Sequence, residues 1–242
     1  INMGDILLLM PSLKKQMASL PATANLYVDA QITGKVSDLT LKRVRLRGLT
    51  TTDIDVSGTI KGLPDSKKLN TDLTINKFQT SKSDLLAFIP AKSLPQSISL
   101  PNALSVSGTV KGGMNNLYAN LTLNSTDGGV KFNGSLINIT DKKKAVYDIA
   151  LKARNLQLGK LMKNPKLGSL TADIKAKGKG YDPKTANASF NGIISNAAFN
   201  KYNYRNITIS GNMAGQNYKI NLDAKDPNLA ADLKASGNFS GK

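Results

Sequence analysis

Apolar and polar residues alternate along most of this chain, in short runs separated by turns that contain glycine, asparagine or proline. In the run from Leu104 to Val110, every second residue is apolar or glycine, which is typical of a strand with one covered and one solvated face. Between two such runs the step Asp127-Gly128-Gly129 is typical of a hairpin turn. The pattern therefore predicts antiparallel meanders rather than parallel strands linked by helices.

One strand changes parity within the run. Leu39 and Leu41 share one parity, whereas Val44 and Leu46 share the other. A slip of one residue inside an alternating run predicts a β-bulge at this point, because the bulge returns the apolar residues to one face.

Short apolar helices are predicted where the alternation stops. Residues 5–11 and 84–90 share a pattern of aspartate, apolar residues and a closing proline, and residues 156–165 are a weaker third copy. Proline pushes the residue before it out of the helical region, so each helical turn is expected to end there. The first helix can resume after Pro11 and is expected over residues 4–15, because proline is tolerated in a first turn. Lysines 142–144 are expected at the tip of a hairpin.

The strands between these helices repeat as well. Gly58, Gly134 and Gly211 follow one another at intervals of 76 and 77 residues, and the strand that starts at Leu26 matches the one at Leu104, with Gly34 in the place of Gly108. Such spacing indicates a repeat. We therefore expect a single repetitive β-rich region with approximate units 1–82, 83–155 and 156–242, forming a long, curled antiparallel sheet with two or three short amphipathic helices.

The composition argues against catalysis. Histidine, cysteine and glutamate are absent, which removes the usual general bases, activated nucleophiles and soft metal ligands and leaves 16 scattered aspartates. Asp53 and Asp55 share the polar face of one strand and are interpreted as solvated. We expect no enzymatic activity, no catalytic residues, no metal and no cofactor.

The net charge of +17 favours an acidic partner, such as nucleic acid, anionic lipid head groups or an acidic polysaccharide, although a lysine-rich solvated surface explains it equally well. Lys42, Arg43, Arg45 and Arg47 are candidates for contact with head groups or another acidic partner, and the three arginines are expected on one face of a strand. Nucleic acid is not expected, because stacking aromatic residues are absent nearby.

Several glycines fall on the apolar parity of their strands: Gly34, Gly58, Gly108, Gly134 and Gly211. Glycine within a strand marks a bend or a close approach by another group. Two interpretations stay open and are compatible: these glycines let a long sheet coil, or they hollow the apolar face into a trough for a chain-like ligand.

Three segments carry a resemblance to a known family: Leu104–Gly112 (LSVSGTVKG), Ile54–Leu63 (IDVSGTIKGL) and Ile207–Gly215 (ITISGNMAG). The chain resembles the AsmA and TamB family of bacterial envelope proteins over most of its length. That resemblance implies a long, curled sheet in the periplasm, anchored in the inner membrane, and a role in outer-membrane assembly through passage of phospholipid or help with β-barrel insertion. It implies no catalytic residues.

The chain starts at Ile1 and contains no signal peptide and no run of about 18 apolar residues, so we expect it to be a piece of a longer protein whose membrane anchor lies elsewhere.

A sheet with one apolar face must cover it with a second layer or a ligand, and this chain predicts little helix. We expect an apolar groove for the acyl chains of phospholipid, lined by Val28, Ile32, Val56, Ile60, Val106, Val110, Phe132 and Ile209. The alternative is a filled sandwich or barrel that acts as a scaffold and recruits outer-membrane assembly proteins by strand addition.

Overall fold

One continuous antiparallel sheet accounts for almost all of the described chain. The computed structural model describes residues 25–88, 95–138, 140–182 and 185–238. Its 13 strands follow one another in sequence order across the sheet, and the sheet does not close into a barrel. The strands are β1 (Leu26–Lys35), β2 (Asp38–Gly48), β3 (Thr52–Lys61), β4 (Asn70–Ser81), β5 (Ala103–Gly113), β6 (Asn116–Ser125), β7 (Gly128–Ile137), β8 (Val146–Gln157), β9 (Leu167–Lys179), β10 (Asn187–Phe199), β11 (Tyr202–Ala214), β12 (Asn217–Asp226) and β13 (Leu229–Asn238). The prediction of a mainly β, antiparallel meander is confirmed.

The helices are short. The described residues form α1 (Lys82–Phe88), α2 (Leu158–Leu161) and a 3-10 turn at Ser66–Lys68. Helix α1 begins two residues before its predicted start. Helix α2 is shorter than predicted at both ends, because Leu156 and Gln157 belong to β8 and the helix ends at Leu161. The helix predicted for residues 4–15 lies outside the described residues. Among the residues that are described, no helix is both long and apolar enough to cross a membrane.

The two described helices follow strands that are four apart in the sheet. Helix α1 follows β4 and α2 follows β8, yet β4 pairs directly with β5 and β8 with β9, so the sheet continues without interruption. Gly58, Gly134 and Gly211 lie on β3, β7 and β11, which is the third strand of each group of four. The repeat detected in the sequence is therefore a group of four strands.

One equivalence inferred from the sequence is wrong. Gly34 was matched with Gly108, but the register places Gly34 level with Gly112 and places Gly108 level with Ala30. Both strands contain several alternating small residues, so matching the letters alone chose a register that is displaced from the structural one.

Bulges keep the apolar residues of neighbouring strands on one face. The pairing of β2 with β3 shifts between Leu41 and Val44, which confirms the bulge predicted from the change of parity. A similar shift separates Ala153 from Leu156 on β8. Asn155 in that bulge has a positive φ of 46°, a conformation that asparagine tolerates better than most residues.

The described residues form a single layer. Each strand packs against its hydrogen-bonded neighbours, while α1 packs on β4 and α2 on β9. Buried apolar residues are mostly alanines: only Leu26, Leu41 and Ile207 are both large and buried in the described ranges. A filled sandwich or barrel core, as in the alternative prediction, is absent from these residues.

Candidate functional site: an open apolar face

Four rows of mainly apolar residues cross the whole sheet, and each row contains one residue from each of the 13 strands. We call the surface formed by these four rows the apolar face. Row 2 consists of Ala30, Val44, Val56, Ile75, Gly108, Leu121, Phe132, Leu151, Ile174, Gly192, Ile209, Leu222 and Leu233. Row 3 consists of Ile32, Leu41, Gly58, Leu73, Val110, Ala119, Gly134, Ile149, Ala176, Phe190, Gly211, Ile220 and Ala235. Neither row contains a polar side chain.

Two further rows flank these. Row 1 runs from Val28 on β1 to Ala231 on β13 and is apolar throughout. Row 4 runs from Gly34 to Gly237, and its polar groups are the hydroxyls of Thr71 and of two tyrosines. With strands about 4.8 Å apart and a rise of about 3.4 Å per residue, the face measures roughly 58 Å across the strands and roughly 20 Å along them.

All eight residues predicted to line a groove lie on this face. Row 1 contains Val28 and Val106, row 2 contains Val56, Phe132 and Ile209, row 3 contains Ile32 and Val110, and row 4 contains Ile60. They share this face but lie on strands as far apart in the sheet as β1 and β11.

The apolar face is partly open to solvent. Val56, Val106, Phe132 and their neighbours in the middle of the sheet are half-buried, whereas the terminal strands are more exposed. Ile32 on β1 is 48% exposed and Leu233 on β13 is 59% exposed. Covering such half-exposed apolar surface with an apolar ligand is favourable, because it removes that surface from water.

The glycines predicted to shape the face have two different roles. Gly34, Gly58 and Gly108 have φ values of 103°, 132° and 134°, and a Cβ atom at each would collide with a backbone carbonyl of the adjacent strand. At these three positions the backbone conformation and the close approach of the adjacent strand both require a residue without a Cβ. A Cβ on Gly134 would likewise meet the carbonyl oxygen of Asp148 on the adjacent strand.

At Gly211 the nearest neighbour is a side chain. A Cβ there would come within 2.5 Å of the ring of Phe190 and within 2.9 Å of the carbonyl oxygen of Lys219. A Cβ on Gly237 would likewise come within 2.5 Å of Tyr218. Aromatic rings laid across glycines of the next strand pack flat on the sheet. Because these two glycines have no Cβ, the aromatic rings lie close to the backbone of the sheet.

Three of the four predicted head-group residues lie on the opposite, polar face. Arg43, Arg45 and Arg47 share one face of β2, as expected, but that face points away from the four apolar rows. Arg43 pairs with Asp55 at 2.9 Å, and both Arg45 and Arg47 lie within 3.7 Å of Asp53. The interpretation of the two aspartates as solvated is therefore wrong, because both carry ion pairs across the sheet.

These pairs alter the acidity of the aspartates. A hydrogen bond from Lys77, 2.7 Å away, lowers the pKa of Asp53 below its ordinary value, and Arg45 adds to the effect. The hydrogen bond from Arg43 lowers the pKa of Asp55 in the same manner. Because the arginines are committed to these carboxylates and face away from the rows, they are not placed to hold the head group of a lipid on the apolar face. Lys42, in the bulge, is exposed.

In the described ranges no group of three or more histidine, cysteine, aspartate or glutamate side chains is placed to hold a metal ion. Comparisons of the chain with protein-family models, with curated proteins and with solved structures gave no match.

One feature of the face was missed at the sequence level. A pocket at its row-4 edge is lined by Leu136, Tyr147, Ile149 and Tyr181, which come from two strands and a connection. Leu136, Tyr147 and Ile149 follow the apolar alternation of their strands. Only the spatial arrangement shows that Tyr181, in the connection between β9 and β10, lies beside them.

Proposed function

We propose that the apolar face binds the acyl chains of phospholipid, as part of a non-enzymatic protein that carries lipid between membranes. One observation carries the proposal: rows 1–3 contain no polar side chain on any of the 13 strands, and no second layer of described residues covers them. Burial of a methylene group is worth about 0.8 kcal/mol, and a uniformly apolar path keeps that value nearly constant as a chain slides along the sheet. Transfer along the face then needs no chemical step.

The location of this activity depends on the family resemblance. The periplasm, an inner-membrane anchor outside these residues and a role in outer-membrane assembly stay predictions of that resemblance. The physical argument for acyl-chain binding is independent of them, since it uses only the register of the sheet and the exposure of its apolar face.

The test is native mass spectrometry of the purified protein, followed by solvent extraction and lipid identification. Phe132→Asp and Val106→Asp place a carboxylate on the apolar face. Asn133→Asp and Ser107→Asp are matched controls, because each changes the adjacent residue, which lies on the polar face and is exposed.

We expect wild-type protein and both controls to carry phospholipid, and we expect at least a tenfold loss of bound lipid in the two apolar-face variants. Circular dichroism checks that each variant keeps its sheet. A lipid-free mass for the wild-type protein under gentle conditions, with no uptake from phospholipid vesicles, contradicts the proposal. Unchanged lipid binding by folded Phe132→Asp contradicts it as well.

A second candidate function depends on the terminal strands. β1 and β13 end the described sheet, each is ten residues long, both are largely exposed, and neither contains proline. Such strands can accept an added strand from another protein, for instance one involved in outer-membrane assembly. Lys234→Pro in β13 changes an exposed residue of the polar face and removes one backbone N–H from this strand. We expect it to weaken the binding of an added strand and to leave lipid binding by the apolar face unchanged, and co-purification of the partner alongside native mass spectrometry of bound lipid measures both.

A further inference from the structure

An open pocket of about 410 Å³ lies at the row-4 edge of the apolar face, lined by Leu136, Tyr147, Ile149 and Tyr181. Leu136 and Tyr147 pair across β7 and β8 in row 4, and Ile149 follows in row 3. Tyr181 belongs to the connection between β9 and β10 and is 43% exposed. The pocket therefore joins the apolar face to the loops beyond its edge.

Three consecutive lysines lie in the neighbouring connection between β7 and β8. We call residues 142–144 the lysine loop, and all three side chains are exposed. Asp141 accepts hydrogen bonds from the backbone N–H groups of Lys143 and Lys144, at 2.9 and 3.1 Å, so its carboxylate is partly used to shape the loop. Asp182 lies in the adjoining connection, and Lys179 at the end of β9 adds a fourth cation. Positive charge remains in excess at this edge.

The lysine loop and the pocket are joined by backbone hydrogen bonds. The N–H of Tyr181 donates to the carbonyl of Lys142 at 3.0 Å, and the N–H of Gly180 donates to the carbonyl of Ala145 at 2.7 Å. Ala145 is fully buried. These contacts hold a wall of the apolar pocket directly against the basic loop, which places an apolar site and a cationic site side by side.

We propose that this edge binds the phosphate head group of an anionic phospholipid, with the phosphate at the lysine loop and an acyl chain entering the pocket and lying across the rows. Exposed lysines attract anionic head groups, and tyrosine suits a boundary between apolar and wet surroundings. The face is roughly 20 Å wide from row 4 to row 1, and one acyl chain spans roughly 15 Å, half of a bilayer hydrocarbon core. This inference rests on the proposed function and adds the class of lipid and the direction in which it lies.

The test compares two lipids that share the same acyl chains: dioleoyl phosphatidylglycerol, which is anionic, and dioleoylglycerol, which is uncharged. The binding of each to lipid-free protein is titrated by native mass spectrometry. The variant Lys142→Gln/Lys143→Gln/Lys144→Gln neutralises the lysine loop. Its matched control is Lys131→Gln/Lys175→Gln/Lys219→Gln, which removes three exposed lysines from the polar face and causes the same change in net charge.

We expect wild-type protein and the control to prefer phosphatidylglycerol, with affinities that fall as salt is raised. Neutralising the lysine loop should reduce phosphatidylglycerol affinity roughly tenfold to a hundredfold and leave dioleoylglycerol affinity unchanged. A phosphatidylglycerol analogue with a photoreactive head group should cross-link to residues 138–145 or to Tyr181. Inorganic phosphate at millimolar concentration should not displace the lipid, because it lacks the acyl chains.

The outcomes separate this inference from the proposed function. If wild-type protein binds neither lipid, both the head-group site and the proposed acyl-chain binding are overturned. Equal binding of the two lipids, or equal phosphatidylglycerol affinity in the lysine-loop variant and its control, overturns the head-group site and leaves acyl-chain binding standing. Head-group cross-links that map to the row-1 edge overturn the proposed direction.

Discussion

Oγ1 of Thr52 donates a 2.8 Å hydrogen bond to Oδ2 of Asp84, although 32 residues separate the two along the chain. The same carboxylate accepts hydrogen bonds from the backbone N–H groups of Thr50 and Thr51, at 3.2 and 2.9 Å. Asp84 lies in the first turn of α1 and is only 4% exposed. It therefore ties the helix that follows β4 to the turn between β2 and β3.

Replacing this carboxylate tests how much its hydrogen bonds contribute to the free energy of unfolding. Asp84→Asn puts an amide NH₂ against groups that are already donors, so we expect the free energy of unfolding to fall by about 1–3 kcal/mol. Urea unfolding followed by circular dichroism measures the change. Asp232→Asn is the control, since its carboxylate is 67% exposed, and it should shift stability by no more than about 0.5 kcal/mol. Equal effects of the two variants contradict the assigned role.

Asp226 predicts a dependence of stability on pH. The hydroxyl of Tyr202 donates to it at 2.7 Å, and this bond, with those from the N–H groups of Asn228 and Arg205, lowers the pKa of the buried carboxyl. In the unfolded chain an aspartate has a pKa of about 3.9. The unfolded state therefore binds the proton first as pH falls, so the contribution to stability is present above about pH 4 and is lost as pH falls through the lower, folded-state pKa.

Unfolding curves for wild-type protein and Asp226→Asn, measured from pH 7 to pH 2, check this sign. The stability difference between the two should be largest near neutral pH and should shrink below about pH 4. Curves that stay parallel over the whole range would mean that the hydrogen bonds to Asp226 do not depend on its charge.

The backbone conformation of Gly108 predicts that any other residue at this position destabilises the protein. Its φ is 134°, and a Cβ there would collide with the carbonyl oxygen of Asn120 on β6. We expect Gly108→Ala to cost about 2 kcal/mol or more of unfolding free energy. Gly129→Ala is the control, because its Cβ would meet the side chain of Asn124 at 3.2 Å and the carbonyl oxygen of Leu123 at 3.5 Å, an ordinary contact distance. Its effect should stay within about 1 kcal/mol. A similar mild effect at both glycines contradicts a backbone requirement at Gly108.

The contact between Phe190 and Gly211 predicts coupling between two substitutions. Ring atoms of Phe190 lie 2.5 and 2.7 Å from the position of a Cβ on Gly211, nearer than the carbonyl oxygen of Lys219 at 2.9 Å, so Gly211→Ala must displace the ring. We expect Gly211→Ala to destabilise wild-type protein and to be better tolerated in a Phe190→Leu background, with a coupling energy of about 0.5–3 kcal/mol. A double-mutant cycle of unfolding free energies measures it, and additive effects would contradict the contact.

The openness of the apolar face predicts tolerance to a hydroxyl. Val106→Thr changes shape very little and adds one polar group at a half-buried position of row 1. In lipid-free protein we expect a loss of less than about 1 kcal/mol, because water reaches the hydroxyl, whereas a hydroxyl without a partner in a filled core costs about 1–3 kcal/mol. Urea unfolding distinguishes the two, and a large loss would indicate that another layer covers the face.

Much of the fold follows from local pattern. The alternation of Leu104 to Val110 predicted a strand, the change of parity after Leu41 predicted a bulge, and the Asp-Gly step at Asp127 predicted a hairpin, and the structure contains all three. These predictions succeed because each depends on neighbours within a few residues. The matching of Gly34 with Gly108 failed because register between distant strands depends on all the bulges and turns that lie between them.

The candidate site shows the same division. The sequence predicted which residues share the apolar parity, and it placed residues 142–144 at a hairpin tip, but it assigned head-group contact to the arginines of β2. Their positive charge was visible in the sequence, whereas their partners Asp53 and Asp55 lie on the adjacent strand and were interpreted as solvated. Ion pairing across strands depends on register, which composition does not reveal.

The sequence by itself determined the face to which each side chain belongs, because side chains alternate between the two faces of a strand through covalent geometry alone. It also determined the repeat and the absence of histidine, cysteine and glutamate. Only the tertiary structure decided that 13 strands align into four unbroken apolar rows, that those rows lack a second layer among the described residues, and that Tyr181 packs beside the lysine loop. The physical reason is that these features arise from contacts between residues far apart in the chain, whose free energies no local pattern contains.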